Sequence, residues 1–309
     1  MKKKLKKLLI SIIGEKNFCY FYLKVRELYL KTFLSTDKTK EKYIQKKLKK
    51  YTGHDIDFSK EPQTFNEKIQ FRKIYDNNSL YSICADKYRV REYVKEKIGE
   101  EYLIPLLLVT DRLTEEQWDK LPNQFVAKAN HNSGPVQIVK DKNKVDRKKI
   151  IKELNNQLKL DYGILSMEKY YSDIPRKVIV EKFLKDNIED YKFFCFDGKM
   201  KYCQLIKNRN IEETIDFYDK DWEKQVFTGL TSHKRSDKID KSPFGYKKMI
   251  ELVEKLSKDF DFARIDLYNI EGKIYFGEIT FCPASGLGTF IPEEWNYKIG
   301  DLWKQKKLK

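Results

Sequence analysis

Two stretches near the C-terminal end, "FARIDLYN" (262–269) and "KIYFGEITF" (273–281), are strand-like runs, largely apolar, each with one carboxylate set into it, and Gly272 lies between them. Short apolar runs bounded by a turn residue predict paired β-strands. "YLIPLLLVT", "NQFVAKAN", "VQIVKD" and "RKVIVEKFL" between residues 102 and 184 also read as short strands, with clear alternation around Lys128. So does "DYKFFCFDGKMKYCQLIKN" (190–208), which Asp197-Gly198 breaks into a hairpin. Helical spacing appears instead in "NEKIQFRKIY" after a loop punctuated by Pro62, Thr64 and Asn66. "ADKYRVREYVKEKIG" reads as a helix with Tyr88, Val90, Tyr93 and Val94 as apolar positions, ended by Gly99. A polar helix is expected over roughly 146–160 and another around 245–259. No internal repeat or low-complexity linker interrupts this body. The fold class is α+β, with mostly antiparallel sheets.

Charge changes the picture only at one end. The net charge of the 309 residues is +16, but residues 1–50 carry fifteen Lys and one Arg against four acids, a net of +12. The remaining body is nearly balanced, which argues against a nucleic-acid partner. The basic end opens "MKKKLKKLLISIIGEKNFCYFYLKVRELYLKTFL", mixing Lys with apolar and aromatic residues at helix-compatible spacing. It suits an amphipathic helix on an anionic membrane surface, or a helix packed on the body. A signal peptide is a third reading, although "LLISII" is short and no small-residue cleavage site follows. Five cysteines without close pairing suit reduced thiols in a cytoplasm better than a disulfide framework or a zinc site. No apolar run reaches the length of a membrane span.

The paired strands each carry one carboxylate, Asp266 and Glu278. A three-residue loop centred on Gly272 would set the two acids opposite each other, with Arg264 and Thr280 on the same face. Like charges so placed are destabilising. A divalent cation between them would account for the arrangement, since Mg²⁺ favours a few carboxylates with phosphate oxygens. Pairing of one acid with Arg264 or a Lys, the other facing water, is the alternative. Upstream, "FVAKANHNSG" puts Lys128 in a strand that runs into Asn132, Ser133 and Gly134, a loop able to offer N–H groups to phosphate. "VEKFL" ends in a polar bend where backbone groups could meet an adenine edge and Asp190 a ribose hydroxyl, while Lys192 adds positive charge.

The order of these pieces carries more than any one of them. "TFNEKIQ", "ADKYRVREYV", "IGEEYLIPLL", "FVAKANHNSG", "DYKFFCFDGK", "RIDLY" and "YFGEITFCPASG" run in sequence from about Thr52 to Trp303. The chain resembles the TupA-like ATP-grasp family, the teichuronopeptide-biosynthesis type found with bacterial surface-polysaccharide genes. The resemblance implies two α+β lobes holding ATP between them, behind a basic helical appendage at 1–50. Residues 51–104 would be a helical part of the body, 105–184 a small lobe with the phosphate loop, and 185–309 a large lobe with the metal site.

It also implies roles. Lys87 and Lys128 would hold ATP phosphates beside the loop Asn132, Ser133 and Gly134. Glu181, Lys182, Phe183 and Leu184 would form the adenine-side hinge, with Asp190 on the ribose. Lys128, Lys192 and Arg264 would act on the transferring phosphoryl group, and Asp266 and Glu278 would ligate Mg²⁺. Thr280 stands where the superfamily usually has Asn, a poorer ligand, and Asn132 stands where Gly is easier, tolerated through left-handed geometry. His131 is read as structural first, with phosphate or acceptor contact open, and Cys282 as structural. The segment after Glu278 would shape an acceptor pocket, with Ser285 and Gly286 nearest the chemistry.

The expected activity is ATP-dependent amide formation through an acyl phosphate. Its substrates would be a carboxylate-bearing glycan or precursor, a uronic acid, and an amine or amino acid, at the inner face of the cytoplasmic membrane. A sugar kinase on the same fold, a glycosyltransferase and a non-catalytic ATP-binding module are the rival readings.

Overall fold

The structure is a computed structural model and describes residues 15–207, 212–231 and 234–306. Among the described residues five helices lead: α1 (Glu15–Phe33), α2 (Asp37–Thr52), α3 (Phe65–Tyr75), α4 (Leu80–Cys84) and α5 (Val90–Lys97). Then follow β1 (Leu106–Thr110), α6 (Glu115–Asp119), β2 (Phe125–Ala129), β3 (Gln137–Val139), α7 (Arg147–Gln157), α8 (Tyr162–Ser166) and β4 (Val178–Lys182). The C-terminal half contains β5 (Asp190–Phe196), β6 (Lys199–Lys207), β7 (Thr214–Tyr218), β8 (Thr228–Gly229) and α9 (Tyr246–Ser257). It closes with β9 (Phe262–Ile270), β10 (Lys273–Thr280), β11 (Phe290–Ile291) and α10 (Trp295–Leu302). Strands form a four-stranded sheet in the order β1-β4-β2-β3, a five-stranded sheet β10-β9-β5-β6-β7, and the pair β11-β8. Each described pairing is antiparallel.

Two cores sit behind the two larger sheets. The four-stranded sheet packs Phe125, Ala127, Val178 and Val180 against Trp118 and Leu154. The larger core backs the five-stranded sheet, where Phe193, Ile265 and Leu267 meet Met249 and Val253 of α9. It also takes in Phe65, Ile69, Tyr81 and Val94 from the N-terminal helices, and Tyr170, Tyr171 and Ile174. The 163–174 segment thus packs with the larger sheet although it lies between strands of the smaller one.

Local details depart from the sequence pattern for physical reasons. Asn66 lies inside α3 rather than in a loop, because Thr64 and Glu67 cap that helix reciprocally. The helix expected over 85–99 starts only at Val90: the Asp86 carboxylate accepts the Tyr88 N–H at 2.8 Å, and Tyr88 is exposed. The "LLISII" segment lies outside the described residues. The described part of the appendage has two distinct faces. In α1, Leu30 is buried, Arg26 donates to the Leu165 carbonyl at 3.2 Å, and Glu27 accepts the Asp161 N–H at 3.1 Å. Phe21, Tyr22, Val25, Leu28, Tyr29 and Phe33 form an exposed stripe at helical spacing. α2 buries Ile44 and Leu48 against Ile56, Phe58 and Phe71, so packing continues through residue 50 rather than changing there.

The hairpin of β9 and β10 has a register of its own. Its turn is the two residues Glu271 and Gly272, since Ile270 pairs with Lys273 and Leu267 with Phe276. Continued regularly, that register would put Glu278 on the core face. A bulge between Phe276 and Glu278 shifts it, and Glu278 then pairs with Asp266 and Thr280 with Arg264. The facing of the two acids therefore comes from a two-residue turn plus a bulge, not from a three-residue loop. Gly277 occupies the bulge because a Cβ there would lie 3.0 Å from the Asp266 carbonyl oxygen.

Candidate functional site

On the face of the five-stranded sheet away from α9, alternation brings Asp190 and Lys192 of β5 beside Arg264, Asp266 and Tyr268 of β9. Lys192 pairs directly across from Asp266, and its Nζ donates to Asp266 Oδ2. Arg264 makes a two-pronged contact, Nε to Asp266 Oδ1 at 2.7 Å and Nη2 to Asp266 Oδ2 at 2.8 Å. The same Nη2 donates to Glu278 Oε1 at 3.0 Å and to Thr280 Oγ1 at 2.9 Å. The three side chains expected to ligate a metal therefore converge on one point, and a guanidinium nitrogen holds it. Asp190 is buried in this cluster with an oxygen 4.0 Å from Lys192 Nζ.

The smaller sheet presents a second charged set. Lys128 of β2 pairs with Glu181 of β4 at 2.7 Å, and Arg91 of α5 stands 3.7 Å from the same carboxylate. Lys87 donates to the Asn132 carbonyl and so is tied to the loop that follows β2. In that loop Asn132 is not left-handed. Its side chain donates to Gln157 at 3.0 Å and accepts the Gly134 N–H at 3.2 Å, so Asn132 serves as a brace. Gly134 permits this, because a Cβ there would sit 2.9 Å from the Asn132 amide nitrogen. Ser133 is exposed at the tip.

The sequence reading missed the scaffold beneath the loop. Asn130 donates to Asp86 at 2.7 Å and to the Pro175 carbonyl at 2.9 Å, and it accepts the Lys177 N–H at 2.7 Å. The Lys87 N–H in turn reaches the Asn130 carbonyl at 3.1 Å. A buried Asn next to an apolar strand was the available signal. Gln204, buried and cross-strand from Lys192, is a second missed residue. On the expected adenine side, Glu181 turns its carboxylate to Lys128 and Arg91, and the Lys182 N–H is taken by the Pro105 carbonyl at 2.9 Å. Phe183 and Leu184 follow the end of β4, half-buried.

Electrostatics joins the two sets. Burial alone would raise the Glu278 carboxyl, but Lys87, Arg264 and Lys192 outweigh it and bring it down to about 2. Asp266, more deeply buried, is pushed up by burial despite Arg264 and Lys192. Burial pushes Lys87 down, with Lys128 adding to the effect and Glu278, Glu181 and Asp86 opposing it. Lys87 thus lies between the acids of one sheet and the charged pair of the other. His131 turns away from this recess. Its Nε2 lies 3.1 Å from the Leu160 carbonyl, and burial brings the ring down to about 4, so it is neutral. Burial and then Glu168 push the Cys282 thiol up to about 12, which leaves it inert as a nucleophile.

The donor set fits a divalent cation in part. Two carboxylates and a hydroxyl converge, as Mg²⁺ bound with nucleotide phosphates requires. Asp266 is already saturated by Arg264 and Lys192, whereas the Glu278 side chain is 37 % exposed. Glu278 is the better placed of the two. Among the described residues no group of three or more His, Cys, Asp or Glu side chains could hold a metal without such help.

The TupA-like ATPgrasp family model matches residues 67–304, which spans every charged residue of this recess. The chain belongs to that family. The ATP-grasp fold accounts for the two sheets that carry these charged sets. No curated protein matches the chain. Among solved structures, D-alanine–D-alanine ligase from Bacillus anthracis complexed with ATP is 19% identical, with a TM-score of 0.40, covering 72% of this chain and 63% of that one. The corresponding enzyme from Helicobacter pylori is 19% identical, with a TM-score of 0.42, covering 73% and 62%. L-amino acid ligase from Bacillus licheniformis is 13% identical, with a TM-score of 0.41, covering 68% and 45%. The chain spans a little under two thirds of the length of the D-alanine–D-alanine ligases it matches.

Proposed function

We propose that this ATP-grasp protein is an ATP-dependent ligase that joins a carboxylate to an amine through an acyl phosphate. The observation that carries the reading is the concentration of Lys87, Lys128, Lys192 and Arg264 around one recess that also holds Asp266 and Glu278. Phosphoryl transfer to a carboxylate needs charge neutralisation and alignment rather than a side-chain nucleophile. The neutral His131 and the inert Cys282 agree with that requirement.

In this reading Lys87 and Lys128 hold the nucleotide phosphates, and Lys192 and Arg264 offset charge on the transferring group. Ser133 and Gly134 present the loop's tip, Phe183 and Leu184 line the adenine side, and Asp190 meets the ribose. Mg²⁺, held by Glu278 with Asp266 and Thr280, would supply further charge neutralisation. The acceptor is a uronic acid carboxylate of a surface polysaccharide, and the basic N-terminal segment keeps the enzyme at the inner face of the membrane. No described helix is long and apolar enough to cross a membrane.

Product analysis tests the chemistry. A ligase releases ADP and inorganic phosphate only when carboxylate and amine are both present. Release of ADP without phosphate, with a phosphorylated sugar formed, would replace the ligase by a kinase.

A further inference from the structure

A cavity of about 360 Å³ lies between the end of α1, the Asp76–Ser82 segment and the 163–173 segment. Its lining includes the apolar residues Leu30, Leu34, Ile74, Ile164 and Met167. It also includes the cations Lys31, Lys40, Lys73 and Lys169. Of its three lining carboxylates two are engaged, Asp173 being the third, and Lys40 is itself paired with Asp37 at 2.9 Å. Asp76 accepts from Tyr81 at 2.6 Å and faces Arg72 at 3.4 Å, and Glu168 accepts from Tyr170. Positive charge continues outside the lining, where burial, then Lys73 and Arg26, bring Lys47 down to about 8.

Two connections run from the cavity to the charged recess. Lys73 donates to the Ser285 carbonyl at 3.0 Å and to its hydroxyl at 2.6 Å, in the loop that follows Glu278. On the other side, α8 lines the cavity with Gly163 and Ile164, while its first residue, Tyr162, shares a hydrogen bond with Ser133 of the phosphate-type loop. Leu30 lines it from the helix that carries the exposed aromatic stripe, and Leu34 from just past the end of that helix.

We propose that this cavity binds an amphiphilic anion, a phosphate or carboxylate head on an apolar tail, and serves as the pocket of the second substrate. A pocket lined by apolar residues and a few cations has the chemistry for such a ligand. The word substrate rests on the ligase reading; the binding itself does not. The head meets Lys40, Lys73 and Lys169, and the tail lies on Leu30, Ile164 and Met167. The tail can come from a soluble molecule or from a lipid in a bilayer reached along α1.

Calorimetry on the full chain with saturating Mg-ADP, so that nucleotide sites are filled, uses hexyl phosphate as the probe. Inorganic phosphate and hexanol serve as controls. Expected is one hexyl phosphate per chain, at least tenfold tighter than either control. Lys40→Glu and Lys169→Glu, both on the rim, should each weaken it severalfold and their combination tenfold or more, with ADP affinity unchanged. Ile164→Trp, which fills the cavity, should abolish it. Absence of binding overturns the proposal, as does binding indifferent to the rim variants. Vesicles of dioleoyl phosphatidic acid separate the sources: capture lost in the rim variants points to a bilayer lipid, and no capture beside hexyl phosphate binding points to a soluble ligand. Each upholds the pocket. Turnover with both substrates but without this binding would sink the pocket and leave the ligase standing.

Discussion

Lys128 has two partners to satisfy, a protein carboxylate now and a phosphate in the proposed complex, and a pair of variants separates them. In the structure its Nζ lies 2.7 Å from Glu181, whose side chain is 9 % exposed. Lys128→Met leaves that carboxylate buried with only Arg91 at 3.7 Å. Breaking a buried pair costs about 3–5 kcal/mol, and the remaining Arg91 should bring the loss nearer to about 2–3 kcal/mol. A charge-assisted phosphate contact adds an independent penalty of about 2 kcal/mol in nucleotide binding, or roughly thirtyfold in Kd. Glu181→Gln keeps the shape of that side chain and removes its charge. The double variant Lys128→Met with Glu181→Gln should therefore recover most of the stability in urea unfolding. It should not recover ATP affinity by calorimetry. If the double variant regains both, Lys128 acts only through Glu181 and its assignment to phosphate is wrong.

Both acids should matter to turnover and to the fold. Glu278→Gln and Asp266→Asn are each expected to remove most turnover and to lower Tm, the first because Lys87, Arg264 and Lys192 favour the Glu278 charge in the fold, the second because it strips Arg264 and Lys192 of their buried partner; full activity in both would sink the metal assignment. The His131 ring is held at about 4 in the fold against 6.5 ordinarily, so the unfolded chain takes up its proton first as pH falls. Stability should be complete above about pH 6.5 and decline toward pH 4 by on the order of 3 kcal/mol, and His131→Phe should flatten that slope in pH-dependent unfolding; an unchanged slope assigns it to other groups. On α1, replacing Phe21, Val25 and Phe33 by Ser leaves the docked face of Leu30 and Arg26 intact. That variant should lose co-sedimentation with anionic vesicles at low salt while keeping ATP binding, and equal sedimentation of the two proteins would refute the membrane reading.

Strands were legible as short apolar runs between turn residues, with burial alternating in β2 and continuous in β4 and β5. Lys128 stands in a pattern of alternating buried and half-buried residues in β2, and each expected strand of the body is present. The acids could be read as facing for the same reason, yet the turn that aligns them was misjudged by one residue. The clue was present: Ile274 and Phe276 are buried two apart, whereas Phe276 and Ile279 are buried three apart. A spacing of three inside a strand with a central Gly signals a bulge. What periodicity could not report is long-range pairing. The link from Asn130 to Asp86, or from Glu27 to the Asp161 N–H, depends on how distant segments meet. Likewise, the two faces of α1 look alike in sequence, and only docking against α8 distinguishes Leu30 from Leu28.

The Gly277 bulge makes β10 a strand in two phases. Before it, even-numbered positions such as Ile274 and Phe276 enter the core; after it, even-numbered Glu278 and Thr280 face the recess, and the core takes Ile279 and Phe281. A systematic substitution scan along this strand would meet a change of parity. Sensitivity to side-chain volume would fall on even positions up to Phe276 and on odd positions from Ile279, with intolerance of charge removal appearing only in the second half. The hairpin's turn end and its chemical end can therefore vary independently. The extra residue at 277 thus turns Glu278 and Thr280 to the recess face and adds the local twist that aims the carboxylate.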